Sequence, residues 1–199
     1  MTRIFLIRHG HVDNPENIFN GPSRTLSERG QRQIEALAED FKSMEILPTR
    51  ILCSPFVRTR QTADILSSAF GTSNATPDER LIEWQNVVWW DKPLKEFHAH
   101  THYDQHPNAE LPPDIESLDA CATRVQSVLH DLVRDADRET LFVVGHREPF
   151  ASAILRYQGK DFTTIRTLHL PHACAWELGF NEPDQPSVIE RRFDRSSLK

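Results

Sequence analysis

The chain holds only three cysteines among 199 residues. Cys53, Cys121 and Cys174 are widely separated, odd in number and without metal-ligand spacing, which excludes a disulfide framework and reads as reduced core thiols of a cytoplasmic protein. Positive charge is also short: 23 Lys and Arg stand against 29 Asp and Glu, a formal charge of -6. A general nucleic-acid surface needs the opposite balance to neutralise a phosphate backbone. A small anion needs only a local basic pocket. No apolar stretch approaches the ~20 residues of a membrane helix, and the N-terminus enters a strand with no charged leader, so neither a membrane nor secretion is expected. Internal repeats are missing too. With 38% hydrophobic residues, the length supports one substantial core and is short for two, so a single domain over residues 1–199 is expected.

What is present is strand and helix in alternation. Ile4-Phe5-Leu6-Ile7 and Leu141-Phe142-Val143-Val144 are apolar without polar alternation, the pattern of parallel strands buried on both faces, and residues 50 to 53 read the same way. Between the first two of these strands in sequence, Ile34, Leu37, Ala38 and Phe41 fall at helical spacing, with Thr25 and Glu28 fitting a capping box at the helix start. Further helices are expected from near Val57 to Phe70, stopped by Gly71, then on the face carrying Leu118, Cys121, Val125, Val128, Leu129 and Leu132, and from about Pro149 to Tyr157. Segments Ala173 to Phe180 and Val188 to Phe193 read as closing strands. The fold class is therefore α/β, a three-layer α/β/α sandwich around a mostly parallel sheet.

Polar residues of a particular kind stand where these strands end, the place where open α/β sheets put their chemistry. Arg8-His9-Gly10 follows the first strand. Arg58 follows the second, in Ser54-Pro55-Phe56-Val57-Arg58-Thr59-Arg60-Gln61-Thr62-Ala63; Glu83 follows a third segment in Leu81-Ile82-Glu83-Trp84; and Gly145-His146 follows the strand at 141 to 144. Phosphoryl transfer asks for a nucleophile, cations around the phosphoryl oxygens and an acid for the leaving oxygen, and this set offers each. Taken singly, each has a plainer reading as a satisfied polar residue. Glu79, Glu35 or Glu110 could equally supply the carboxyl.

With Thr25-Leu26-Ser27-Glu28-Arg29-Gly30 and Glu116-Ser117 added in the same order, the chain resembles the histidine phosphatase superfamily, which includes the phosphoglycerate mutases. The resemblance implies a phosphoglycerate mutase-like fold and a metal-independent phosphatase without a cofactor, acting on a small phosphate monoester. It also implies roles: His9 the nucleophile that becomes phosphohistidine, Arg8, Arg58 and His146 the phosphate holders, Glu83 the acid. An active-site-covering segment is implied at about 84–113, and either a monomer or a homodimer. The chain departs from the family pattern after both histidines. His11-Val12-Asp13-Asn14 replaces the usual residues after the first, leaving Asn14, Asn17 or Asn20 as a phosphate donor, with Asn14 favoured by proximity. After the second comes Arg147-Glu148, where Arg147 either adds a cation to the pocket or pairs with Glu148. The mutases' arginine pair after the acid is missing, which favours hydrolysis over mutase-type transfer. Two other readings compete: a noncatalytic module binding a phosphorylated ligand or partner, and a metallohydrolase using His98, His100, His102 and His106, since alternate histidines on a strand share a face.

Overall fold

The computed structural model describes residues 1–101, 112 and 115–199. The apolar runs form the centre of a six-stranded sheet. Strand β1 (Thr2–Arg8) pairs in parallel with the strand at Thr140–Gly145, which follows two others in the chain: β2 (Arg50–Cys53) and the two-residue β3 (Thr76–Pro77). The Thr140–Gly145 strand is therefore β4; β5 (Cys174–Phe180) and β6 (Pro186–Asp194) complete the order β3-β2-β4-β1-β5-β6. The first four strands in that row are parallel, whereas β5 runs antiparallel to β1 and β6 antiparallel to β5.

Successive side chains of a strand point to opposite faces, so an unbroken apolar run feeds two cores at once. Phe5, Ile7, Phe142 and Val144 pack with Ile34, Leu37 and Phe41 of helix α1 (Glu28–Ser43) and Ala63 and Leu66 of helix α2 (Val57–Phe70). Ile4, Leu6, Leu141 and Val143 pack on the other face. Their partners there come from the long helix at Leu118–Asp135, including Cys121, Val125 and Leu129, and from the helix at Arg147–Tyr157, including Phe150 and Ile154. These two are α4 and α5, since a short helix α3 (Leu94–Thr101) precedes them. The three layers are those expected from the sequence. Helix α2 ends at Gly71 in the left-handed conformation, φ 64°, as its position after Phe70 predicts. Among the described residues no helix is long and apolar enough to cross a membrane.

Two local expectations need correction. The N-cap of α1 is Ser27, whose Oγ accepts from the Gly30 N–H at 3.1 Å, and not Thr25 of a Thr25/Glu28 box. Ser27 is held there because its own N–H donates to the His11 carbonyl at 3.0 Å, so tertiary contact chooses between two hydroxyl residues that propensity ranks alike. Second, His98 and His100 lie on α3 rather than on a strand. At ~100° per residue they point to nearly opposite sides of the helix, which removes the shared face on which the metal reading depended. His102, Asp104, His106 and Glu110 lie outside the described residues. Trp84 and Phe97 are buried and meet edge to face at 5.5 Å between centroids, so these two aromatics pack as core.

The loop after β1 crosses the first turn of α1 at backbone contact. A Cβ on Gly10 would stand 2.4 Å from the Gly30 carbonyl oxygen, and one on Gly30 would stand 2.2 Å from that of His11. Helix propensity favours alanine at position 30 by about 1 kcal/mol. The clash is with backbone that cannot rotate away, so overpacking of about 1–3 kcal/mol or more wins. Gly30→Ala is expected to lower the midpoint of urea unfolding, and a raised midpoint would refute the contact.

Candidate active site

The register of β1 and β4 sets Arg8 opposite Gly145, so His9 and His146 leave adjacent strand ends side by side. The His9 N–H donates to the Gly145 carbonyl at 3.1 Å, and the two ring centroids are 5.4 Å apart. His146 is also the N-cap of α5, and Arg58 sits in the first turn of α2, directly after β2. Both strands of the pair, and the one beyond, therefore deliver a residue to the same point.

Arg58 is 1% exposed and its guanidinium ties the cluster together. Nε donates to His9 Nε2 at 3.2 Å, Nη1 to the Gly21 carbonyl at 2.8 Å, and Nη2 lies 3.2 Å from His146 Nδ1 and 3.7 Å from Glu83 Oε2. The tautomers follow from these partners. His9 Nδ1 is 2.8 Å from the Gly10 carbonyl, which can only accept, so Nδ1 carries the proton and Nε2 presents a lone pair. For His146 the guanidinium can only donate, so Nδ1 accepts and Nε2–H donates to Ser54 Oγ at 2.8 Å. Burial, followed by the charge of Arg58, holds both imidazoles well below the ordinary histidine range. Both are neutral.

Glu83 follows a turn of 3-10 helix at Glu79–Leu81. Its Oε1 accepts from the Trp84 N–H at 2.9 Å and Oε2 lies 3.4 Å from His146 Nδ1. Burial, and then the nearby Glu148 carboxylate, push its carboxyl up to about 7, although Arg58 and Arg8 pull the other way. Facing a neutral imidazole, Glu83 is thus a carboxyl poised between acid and base at neutral pH rather than the anion of an ion pair.

Arg8 completes the basic wall. Nη1 donates to the Leu170 carbonyl at 2.9 Å and Nη2 lies 3.1 Å from His172 Nε2, while Nε is buried without a hydrogen-bond partner. Burial lowers Arg8 to about 10, so it remains charged. These groups border a cleft of about 230 Å³ whose other wall includes Phe19, Leu94 and Phe97. Arg147 and Glu148 both line it and also pair, Arg147 Nη1 to Glu148 Oε1 at 2.8 Å, so the two readings of Arg147 hold together. Asn14 lines the cleft as well, but its amide spans a turn: Nδ2 donates to the Ile18 carbonyl at 2.8 Å and Oδ1 accepts from the Ile18 N–H at 3.1 Å. Asn20 borders the same cleft, with Oδ1 buried and without a hydrogen-bond partner among the described residues.

Sequence reasoning missed His172. It is half-buried, reaches Arg8 and lies tilted against His9 at 5.2 Å between centroids, arriving from the turn before β5. Its neighbour Ala173 has φ 52°, an uncommon conformation for a residue with a side chain, and its N–H donates to the His9 carbonyl at 3.2 Å. An unusual backbone locked to the nucleophile candidate marks a site, but nothing in the local sequence announces it.

One ligand atom from each of His9, Glu83 and His146 falls within 4.8 Å of the others, close enough to hold a metal ion. A cation there would meet the Arg58 guanidinium already bonded to two of those groups. The donor set therefore fits an anion, with Arg58 and Arg8 supplying charge and His9 Nε2 the lone pair.

Comparison with known proteins agrees with this geometry. A probable phosphoglycerate mutase of Citrobacter koseri is 30% identical to the chain over 194 residues, covering 92% of this chain and 86% of the relative. The 5''-phosphoribostamycin phosphatase of Niallia circulans is 26% identical over 151 residues, covering 71% and 70%. The solved structure of phosphoserine phosphatase from Entamoeba histolytica superposes with a TM-score of 0.81 at 20% identity, covering 98% of this chain and all of that one. The family model of the histidine phosphatase superfamily, branch 1, matches residues 4–191, and the chain belongs to that superfamily.

Proposed function

We propose that the protein is a metal-independent phosphatase that hydrolyses a small phosphate monoester through a phosphohistidine on His9. The carrying observation is the fixed tautomer of His9: with Nδ1–H held on the Gly10 carbonyl, Nε2 carries the lone pair, and the Arg58 Nε–H that it accepts at 3.2 Å belongs to the cation that an incoming phosphoryl group needs. In the first step Nε2 attacks phosphorus, the ester P–O bond breaks, and Glu83 gives its proton to the departing alkoxide. In the second, the Glu83 carboxylate takes a proton from water, the water oxygen bonds to phosphorus, the P–N bond breaks, and inorganic phosphate leaves. Arg8 and Arg58 bear the oxygen charge throughout. His146, neutral in the free site, gains a reason to take a proton once a phosphate dianion sits beside it.

This reading takes residues 1–199 as one cytoplasmic domain, monomeric or homodimeric; of the segment at 84–113, Trp84, Leu94, Phe97 and His98 line the cleft, and residues 102–111 and 113 lie outside the described residues. A phosphatase relative supports hydrolysis, while a mutase relative keeps transfer between hydroxyls as the second reading. The local charges after Glu83 are Asp91, Lys92, Lys95 and Glu96, with no arginine pair to grip a carboxylate.

Three outcomes are expected. Hydrolysis of an aryl phosphate survives excess chelator and falls by on the order of 10³-fold or more in His9→Ala; inhibition by chelator alone would sink the mechanism. Because the free enzyme must hold a protonated Glu83, kcat/KM declines as pH rises through about 7. No acid limb from His9 is expected near neutrality, since its imidazole is already neutral. In Glu83→Gln the descending limb disappears and turnover of alkyl phosphates drops by about 10²–10⁴-fold; a limb that persists assigns the titration to another group. Finally, incubation with isotopically labelled phosphoglycerates should release inorganic phosphate without exchange of label between the 2- and 3-positions, and exchange would establish the mutase.

A further inference from the structure

Glu83 sits on a short turn with little regular structure around it, yet its carboxyl has to hold one position relative to His146 and Arg58. The turn is fastened from α4. Arg124, whose side chain is 12% exposed, spends its whole guanidinium there. Nη1 donates to the carbonyls of Arg80 at 2.8 Å and Ile82 at 2.7 Å, and Nη2 to that of Glu83 itself at 3.2 Å. Nε and Nη2 meet Glu116 Oε1 and Oε2 at 2.7 and 2.9 Å, a bidentate pair that fixes the fork in its plane. Glu116 closes the other side: Oε2 accepts from the Gln85 N–H at 3.0 Å, its N–H donates to the Gln85 carbonyl at 2.8 Å, and its carbonyl accepts from Trp84 Nε1 at 2.6 Å.

We infer that Arg124 and Glu116 are positioning residues for the acid step, a clamp on the backbone of residues 80–85 that aims the Glu83 carboxyl into the cleft. The inference rests on the reading of Glu83 as general acid. Neither residue lines the cleft. A planar fork is required because three carbonyls and a carboxylate must be met at once, which the single ammonium of lysine cannot do. The charge of Arg124 is matched by Glu116, and burial dominates at Glu83.

The test separates positioning from general support of the fold. A good aryl leaving group departs without a proton, whereas an alkyl alkoxide needs one, so loss of acid placement must fall on alkyl esters alone. Arg124→Lys and Glu116→Gln, chosen over alanine to keep side-chain length, are compared with Glu83→Gln on p-nitrophenyl phosphate and glycerol 3-phosphate across pH. Expected for both clamp variants is a tenfold or greater fall in the alkyl-to-aryl ratio of kcat/KM. Their descending pH limb should move from near 7 toward the ordinary carboxylate range, and neither substitution should have a further effect when added to Glu83→Gln. An equal loss on both substrates, or an unchanged ratio in variants that fold, overturns the clamp. If Glu83→Gln itself leaves the ratio unchanged, the acid assignment fails, and the clamp falls with it for that separate reason. Should one clamp variant not fold, the other decides.

Discussion

Everything in the site depends on the parallel pairing of β1 with β4. That ladder puts two strand ends side by side, and a histidine follows each within bonding reach of one guanidinium. A parallel pair needs burial on both faces to be stable, which is why α1 and α2 cover one side and α4 and α5 the other. The helices are not only cover. Three of them begin or pass where the strands end, so α2 contributes Arg58, α5 opens on His146, and α4 reaches back through Arg124 to the turn carrying Glu83.

The electrostatics follow from burial. Two imidazoles beside Arg58 would repel it if protonated, and desolvation disfavours that state as well, so the free site is one in which cationic arginines face neutral nitrogen lone pairs and a carboxyl near its midpoint. The arrangement is complementary to a phosphoryl dianion in both charge and proton inventory. It has donors for the oxygens, a lone pair for phosphorus and one transferable proton. Three atoms suited to a metal ion converge in the same place, beside the Arg58 guanidinium.

The central part of this was legible in the sequence because local pattern and tertiary demand coincide there. Ile4 to Ile7 and Leu141 to Val144 announce two-faced burial by lacking polar alternation, and residues just beyond such strands have only one end of the sheet to occupy. Arg8, His9 and His146 could be named in advance for that reason, and Arg58 and Glu83 from the family resemblance; the structure lines one cleft with Arg8, His9, Arg58 and Glu83, and sets the buried His146 beside Arg58 and Glu83. The misread positions are those decided at long range. Thr25 and Ser27 look alike as caps until the His11 carbonyl selects Ser27. His98 and His100 alternate on paper, but a helical turn parts them. His172 reaches the site only because β5 turns back antiparallel beside β1, a pairing that its own neighbours do not encode.

The buried guanidinium groups of the site carry a thermodynamic consequence. Arg8 and Arg58 give up hydration on folding and recover part of it from carbonyls, histidine rings and Glu83, 3.7 Å from Arg58, and under the proposed function a bound oxyanion adds to that compensation. Any phosphate in solution therefore acts on the folding equilibrium as well as on the reaction, in proportion to the logarithm of its concentration over its dissociation constant. Under the proposed function product and stabiliser are the same molecule, and the phosphate that slows turnover also holds the fold together.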